Sequence, residues 1–62
     1  MNSKKEFNHF LSISLGSLSE LETQLIIANN LGFLSNDEIA ELKSSLVRIR
    51  KMIIGLKKSV NK

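Results

Sequence analysis

The segment ANNLGFLSNDEI, residues 28–39, decides the fold because it contains the signals that end one helix and begin another. Gly32 can adopt the left-handed backbone conformation that closes a helix. Ser35 and Glu38 have the spacing of a capping box, in which the serine oxygen accepts a hydrogen bond from a backbone N–H and the glutamate reaches back to the capping residue. The segment therefore predicts a turn over residues 32–35.

The sequence on either side of this turn predicts a long helix. Helix A is expected over about residues 4–31, with a second capping box at Ser3 and Glu6, and helix B over about residues 36–59. A connection this short makes two helices antiparallel neighbours, so residues 1–62 are predicted to form one all-α domain, an antiparallel two-helix hairpin. The expected packing seams alternate steps of three and four residues: Phe7, Leu11, Ser14, Leu18, Leu21, Leu25 and Ala28, then Ile39, Leu42, Leu46, Ile49, Ile53, Leu56 and Val60.

Length and composition exclude several classes of protein. The chain has 62 residues and no cysteine, which excludes disulfides and thiolate metal sites. Small extracellular domains usually need such cross-links. No run approaches the roughly 18 consecutive apolar residues of a membrane span, and the first residues lack the apolar run of a signal peptide. We therefore expect a cytoplasmic protein that makes no membrane contact.

Several small or apolar residues lie outside the expected seams. A two-helix hairpin would leave them in water, and an exposed apolar patch of this kind usually marks an interface. The alternative is that single exposed apolar residues are ordinary. We expect the hairpin to assemble with itself into a four-helix-bundle-type oligomer through Ala40, Val47, Ile54, Leu15, Ile26 and Gly16.

The charges are unevenly distributed along the chain. Nine Lys and Arg residues against six Asp and Glu give a net charge of +3, and no acidic residue follows Lys43. Such a surface can attract phosphates, although cations are also favoured near the C-terminal end of any helix. The candidate nucleic-acid-binding residues are Lys43, Arg50, Lys51, Lys57 and Lys58.

Glu20 and Glu22 are the obvious candidates for acid–base or metal chemistry. Residues two apart on a helix point about 200° apart, so these carboxylates cannot jointly hold one ion. The sole histidine, His9, is eleven residues from Glu20, and a di-metal bundle needs Glu-x-x-His motifs. We therefore predict no catalytic residue, no metal and no cofactor. Glu20 is expected instead to reach Arg48 or Arg50 across the hairpin.

The combination GSLSELETQL followed by LGFLS, residues 16–25 and 31–35, resembles the four-helix-bundle family of 23S ribosomal-RNA intervening-sequence proteins. The resemblance covers essentially the whole chain. The matching segments are Lys5–Phe7, Phe10–Leu11, Gly16–Ser17, Glu20–Leu25, Leu31–Gly32 and Leu34–Ser35, with Glu38, Leu42, Met52, Gly55 and Leu56 beyond the turn. The family usually has tyrosine where this chain has Phe33, so any role for that hydroxyl is absent.

The resemblance implies a four-helix bundle of which this chain matches the second hairpin. Either the chain is a fragment or a shortened product, or two copies supply four helices. Homo-oligomers, pentamers included, occur among such proteins. A similar protein, the accessory protein of diversity-generating retroelements, is associated with nucleic-acid binding and a reverse-transcriptase partner.

These observations lead to two functional hypotheses. The first is a non-enzymatic module that binds RNA or DNA non-specifically through its basic surface. Its candidate partners are nucleic acid, a second copy of itself and a nucleic-acid-processing protein. The alternative is a purely structural oligomerisation or protein-interaction module with no nucleic-acid role.

Overall fold

The computed structural model describes residues 3–61, which form two antiparallel α-helices. Helix α1 runs Ser3–Asn30 and helix α2 runs Asn36–Val60, so each end lies within one residue of the expected one. The described residues contain no strand. The prediction of an all-α two-helix hairpin is therefore confirmed. The Cα atoms extend over 46 × 17 × 9 Å, so the molecule is a flat slab one helix thick.

The end of α1 is closed by a Schellman motif. The N–H of Gly32 donates to the carbonyl of Asn29 at 3.1 Å, and the N–H of Phe33 donates to the carbonyl of Ala28 at 2.9 Å. Gly32 has a φ of +86°, and no other described residue has a positive φ. A side chain at this position would be strained, which explains why glycine is required there.

The start of α2 has the capping box that the sequence predicts. The N–H of Glu38 donates to Oγ of Ser35 at 3.1 Å, and the N–H of Ser35 donates to Oε1 of Glu38 at 2.9 Å. The side-chain amide of Asn29 joins the two helix ends, because its Nδ2 donates to the carbonyl of Leu34 and to Oδ1 of Asn36. The turn is thus held by side chains from both helices.

Three side chains among the described residues are buried: Leu11 of α1, and Ile39 and Leu46 of α2. The remaining contact is made by half-buried residues. On α1 the buried and half-buried residues include a continuous series in steps of three and four, namely Asn8, Leu11, Leu15, Leu18, Glu22, Leu25 and Asn29. On α2 they follow Ile39, Leu46, Ile53 and Val60, with Ser45, Arg50 and Lys57 beside them.

The seam of α1 is therefore rotated from the predicted one. Phe7 and Leu21, expected in the seam, are each 42% exposed, whereas Leu15 and Glu22 are half-buried. Three leucines, Leu11, Leu18 and Leu25, belong to both the predicted and the observed seam, and apolar residues flank them on either side. The flank that faces α2 is the one whose polar groups find partners there, as the contacts described next show.

Candidate functional site

Polar contacts between the helices all lie on one side of the slab. On each helix the contacting residues belong to rows in which residues are seven apart. These rows lie on one side of the central leucines, Leu11, Leu18 and Leu25. We call this side the polar face. Its contacts are Glu22 Oε2 to Arg50 Nη1 at 3.9 Å, Lys57 Nζ to Ser12 Oγ at 2.8 Å, and Asn61 Nδ2 to Asn8 Oδ1 at 3.3 Å.

The ion pair of Arg50 is a correction to the sequence-based expectation. Its carboxylate partner is Glu22, not Glu20. Arg48 instead donates from Nη2 to Oγ of Ser45 within its own helix, at 3.4 Å. Glu22 lies in the same heptad row as Leu15 and so reaches the edge of α2, whereas Glu20 is on the far edge of α1.

The predicted basic residues divide into two groups on the polar face and its outer edge. Arg50 and Lys57 are half-buried and bind Glu22 and Ser12 across the hairpin. Lys43, Lys51 and Lys58 are exposed, and no cross-helix contact involves them in the part of the chain that the structure describes. These three lysines are therefore the cations best placed to meet an external anion.

Exposed hydroxyl groups on α1 accompany these cations. The hydroxyls of Ser12, Ser19 and Thr23 each donate to the backbone carbonyl four residues earlier, at 3.2–3.3 Å. Their oxygens keep lone pairs that can accept further hydrogen bonds, and Ser12 uses one for Lys57. The polar face thus combines positive charge with small hydroxyl side chains.

The opposite side of the slab is apolar. It is formed by exposed residues of α1 and α2 that lie on the other side of the central leucines. We call this side the apolar face. It comprises Phe7, Phe10, Leu21, Leu42, Ile49 and Leu56, and Met52 extends it; Phe10 and Met52 are each 61% exposed.

Most residues predicted as an oligomer interface lie on the polar side. Ala40, Val47 and Ile54 form an exposed row one step outside the basic row of α2, and Ile26 is exposed in the row of Ser12. Gly16 lies on the outer edge of α1, and a Cβ added there would meet no atom within 4 Å. Leu15 is half-buried in the seam, so much of its surface is already used within the hairpin. An interface through these residues stays a prediction.

The titratable side chains of the described residues are dispersed along the two helices. Residues 3–61 contain no cluster of three His, Asp or Glu side chains that could hold a metal ion. The backbone N–H of Ser35, helped by its hydroxyl, lowers the pKa of Glu38 below its ordinary value of 4.5. That shift stabilises the start of a helix and involves no second carboxylate. Neither described helix is long and apolar enough to cross a membrane.

Comparison with known proteins identifies the family. The model of the 23S rRNA-intervening sequence protein family matches residues 1–55. The chain belongs to this family. No curated protein matches the chain, and no solved structure does. The resemblance inferred from GSLSELETQL and LGFLS is thus confirmed, and the two-helix hairpin is the form that this family member takes over residues 3–61.

The sequence contained a signal for the two faces of this family member that heptad counting overlooked. Four of the five asparagines in residues 3–61, those at positions 8, 29, 36 and 61, take part in side-chain contacts between the two arms of the hairpin. Asparagine is favoured at helix ends, where three of these four lie, but it is a poor helix former in a helix interior. Asn8 is therefore the one whose position indicates an inter-helix contact.

Proposed function

We propose that the protein is a cytoplasmic, non-enzymatic helical module that binds the phosphate backbone of nucleic acid, RNA or DNA, through its polar face. The observation that carries the proposal is the exposure of three lysines of α2, Lys43, Lys51 and Lys58, on the same side of the hairpin as the hydroxyl groups of α1. Helix α2 has no acidic residue after Lys43. Cations provide the sequence-independent part of nucleic-acid affinity, and hydroxyls add hydrogen bonds to phosphate oxygens.

The arrangement favours binding without sequence preference. Lys51 and Lys58 lie two helical turns apart on α2, about 10 Å along the axis. No aromatic side chain accompanies them, because Phe7 and Phe10 lie on the apolar face and Phe33 lies in the turn. Base stacking on aromatic side chains is therefore not available to this surface. Binding would depend on charge and weaken steeply as salt rises.

The ion pair in the seam limits how many cations take part. Glu22 lies 3.9 Å from Arg50 and offsets its charge, and Lys57 is committed to Ser12. We therefore expect the three exposed lysines to account for most of the affinity, and the two half-buried cations for little of it.

The proposal is tested by titrating fluorescent RNA and duplex DNA with the protein between about 50 and 200 mM salt. Replacing Lys51 and Lys58 with glutamine should lower the affinity and reduce the slope of log affinity against log salt by about 2 for duplex DNA. The matched control changes Asn30 and Asn36 to aspartate. It alters the net charge by the same two units, but at the turn, roughly 20 Å along the helix from Lys51.

The control separates a local surface from overall charge. Equal losses in the two double variants would show that only net charge matters and would remove the assignment to this face. No salt-dependent binding by the native chain would eliminate the nucleic-acid role. That result would favour the alternative of a purely structural interaction module, which the exposed apolar face supports.

A further inference from the structure

The apolar face is large enough to be an interface. The slab measures 46 × 17 Å across this face, close to the roughly 800 Å² per partner that stable interfaces bury. The accessible surface of the chain is 4820 Å², whereas a compact 7.0 kDa protein exposes about 4,000 Å² by the usual scaling with mass. The excess reflects the flat shape of the hairpin, which leaves both sides of the slab open to solvent.

The charges around this face indicate what covers it. Two rows of residues, seven apart, lie at the middle of this face: the row of Phe7 on α1 and the row of Leu42 on α2. Neither row contains a charged residue. The rows that flank them, here called the rims, contain Glu6 and Glu20 on α1, and Glu38, Glu41 and Arg48 on α2. A helix that lies on a membrane surface has cations beside its apolar side, and these rims are mainly acidic. The face therefore suits a protein surface rather than an anionic lipid surface.

The register of the hairpin brings one pair of opposite charges on these rims, Glu20 and Arg48, to nearly the same level. The contacts of Ser12 with Lys57 and of Asn8 with Asn61 place Glu20 level with Ile49, one residue from Arg48, on the opposite edge of the slab. Neither Glu20 nor Arg48 has an oppositely charged group within 4 Å in residues 3–61. Rotation about an axis parallel to the helices brings α1 of one copy over α2 of the other, at the same level.

We propose that a second copy of this chain covers the apolar face, with the two-fold axis parallel to the helices and Glu20 of each protomer beside Arg48 of the other. The result is a four-helix bundle with all neighbouring helices antiparallel and both turns at one end. Both polar faces point outward, so this assembly neither requires nor prevents nucleic-acid binding. Its failure and the failure of the proposed function are therefore separately observable.

The first experiment measures mass in solution by sedimentation and light scattering. The native chain should have twice its monomer mass of 7.0 kDa at micromolar concentrations. Phe10→Glu with Met52→Glu should give a helical monomer, because both side chains are exposed in the hairpin but face the second copy. The control, Val47→Glu with Ile54→Glu, adds the same charges on the opposite side and should leave the dimer mass unchanged.

The second experiment exchanges charges at Glu20 and Arg48, two positions that make no contact between α1 and α2 in the part of the chain that the structure describes. Glu20→Arg and Arg48→Glu should each weaken the homodimer about tenfold, since each replaces two attractive pairs with two repulsive ones. Mixing the two variants should restore native affinity, because each mixed dimer contains two opposite-charge pairs. Equal affinities for the mixture and for the separate variants would overturn the pairing.

The third experiment locates the turns, and the absence of natural cysteine makes it clean. Phe33→Cys, at a side chain 79% exposed, should be joined to its partner by a short bifunctional thiol reagent. A mixture of Phe33→Cys with Asn61→Cys should give no heterodimeric product, because those residues lie at opposite ends of the 46 Å slab. A native monomer, or a dimer that joins Phe33→Cys only to Asn61→Cys, contradicts the proposal.

Discussion

The polar and apolar faces of this hairpin contain side chains of similar exposure but opposite chemistry. The polar face has its cross-helix contacts already made, with Glu22 on Arg50 and Ser12 on Lys57. The apolar face has no such internal partners, and Phe10 projects from it 61% exposed. The polar face is therefore partly satisfied within a single chain, whereas the apolar face stays open to solvent in the single hairpin.

The layer between the two faces should be the most sensitive part of the molecule. Leu46→Ala removes one of the three side chains that are buried among residues 3–61 and should lower the free energy of unfolding by about 2–5 kcal/mol. The adjacent Val47→Ala, on the exposed row, should change it by less than about 1 kcal/mol. Urea denaturation followed by circular dichroism measures both. Equal losses would mean that the central row is not the main contact between the helices.

A matched pair of isoleucines tests the difference between the faces directly. Ile49, on the apolar face, and Ile54, on the polar side, are each 39% exposed in the hairpin. If each face were open to solvent, truncation to alanine would cost about the same at both positions. With the apolar face covered, Ile49→Ala should cost roughly 2 kcal/mol more than Ile54→Ala.

The extra cost at Ile49 should also depend on concentration. Thermal denaturation at several protein concentrations separates the two contributions, because subunit association stabilises the folded state by mass action. The difference between the two variants should shrink on dilution. A difference that stays constant with concentration would contradict a cover supplied by a second copy.

The turn that joins the two helices contributes less to the free energy of unfolding, and its contribution varies with pH. Ser35→Ala removes an N-cap and should lower the free energy of unfolding by about 1 kcal/mol. The pKa of Glu38 is lowered by the Ser35 N–H, so its ionised form stabilises the native state at neutral pH. This contribution should be lost as the pH falls below about 4.5 and through the lowered pKa. The melting temperature of Glu38→Gln should fall less over that range.

The smallest effect is expected at the ion pair of the polar face. The Glu22 and Arg50 side chains keep 35% and 28% of their surface accessible, so solvent screens their attraction. A double-mutant cycle to glutamine should give a coupling of about 0.2–1 kcal/mol, and salt should reduce it. A larger, salt-independent value would mean that this face is more deeply covered than a single hairpin allows.

The turn was predictable because its signals are local. Gly32, Ser35 and Glu38 lie within seven residues, and each acts on backbone groups nearby. The rotation of α1 about its own axis was not predictable in this way. Leu11, Leu18 and Leu25 have apolar neighbours on both flanks, so heptad spacing permits two seams of similar hydrophobicity.

The choice between these seams depends on contacts distant in sequence. Glu22 with Arg50 and Asn8 with Asn61 form only once the helices lie antiparallel in one register. An interface at the row of Val47 stays a prediction, and the structure adds a second exposed apolar surface around Ile49 that the predicted seams had hidden. Function was less predictable still, because an exposed lysine has the same local sequence signal whether it binds a ligand or only meets solvent.

The short turn after Gly32 also determines how this molecule reaches its folded state. Asn29, only five residues before Leu34, joins the two helix ends, so closing the hairpin requires little loop entropy. Helical proteins rich in such local contacts fold in microseconds to milliseconds. Hairpin formation should then be much faster than the meeting of two chains at low concentration. Refolding followed by helicity should therefore have a rate that does not depend on protein concentration, whereas association followed by light scattering should accelerate in proportion to concentration.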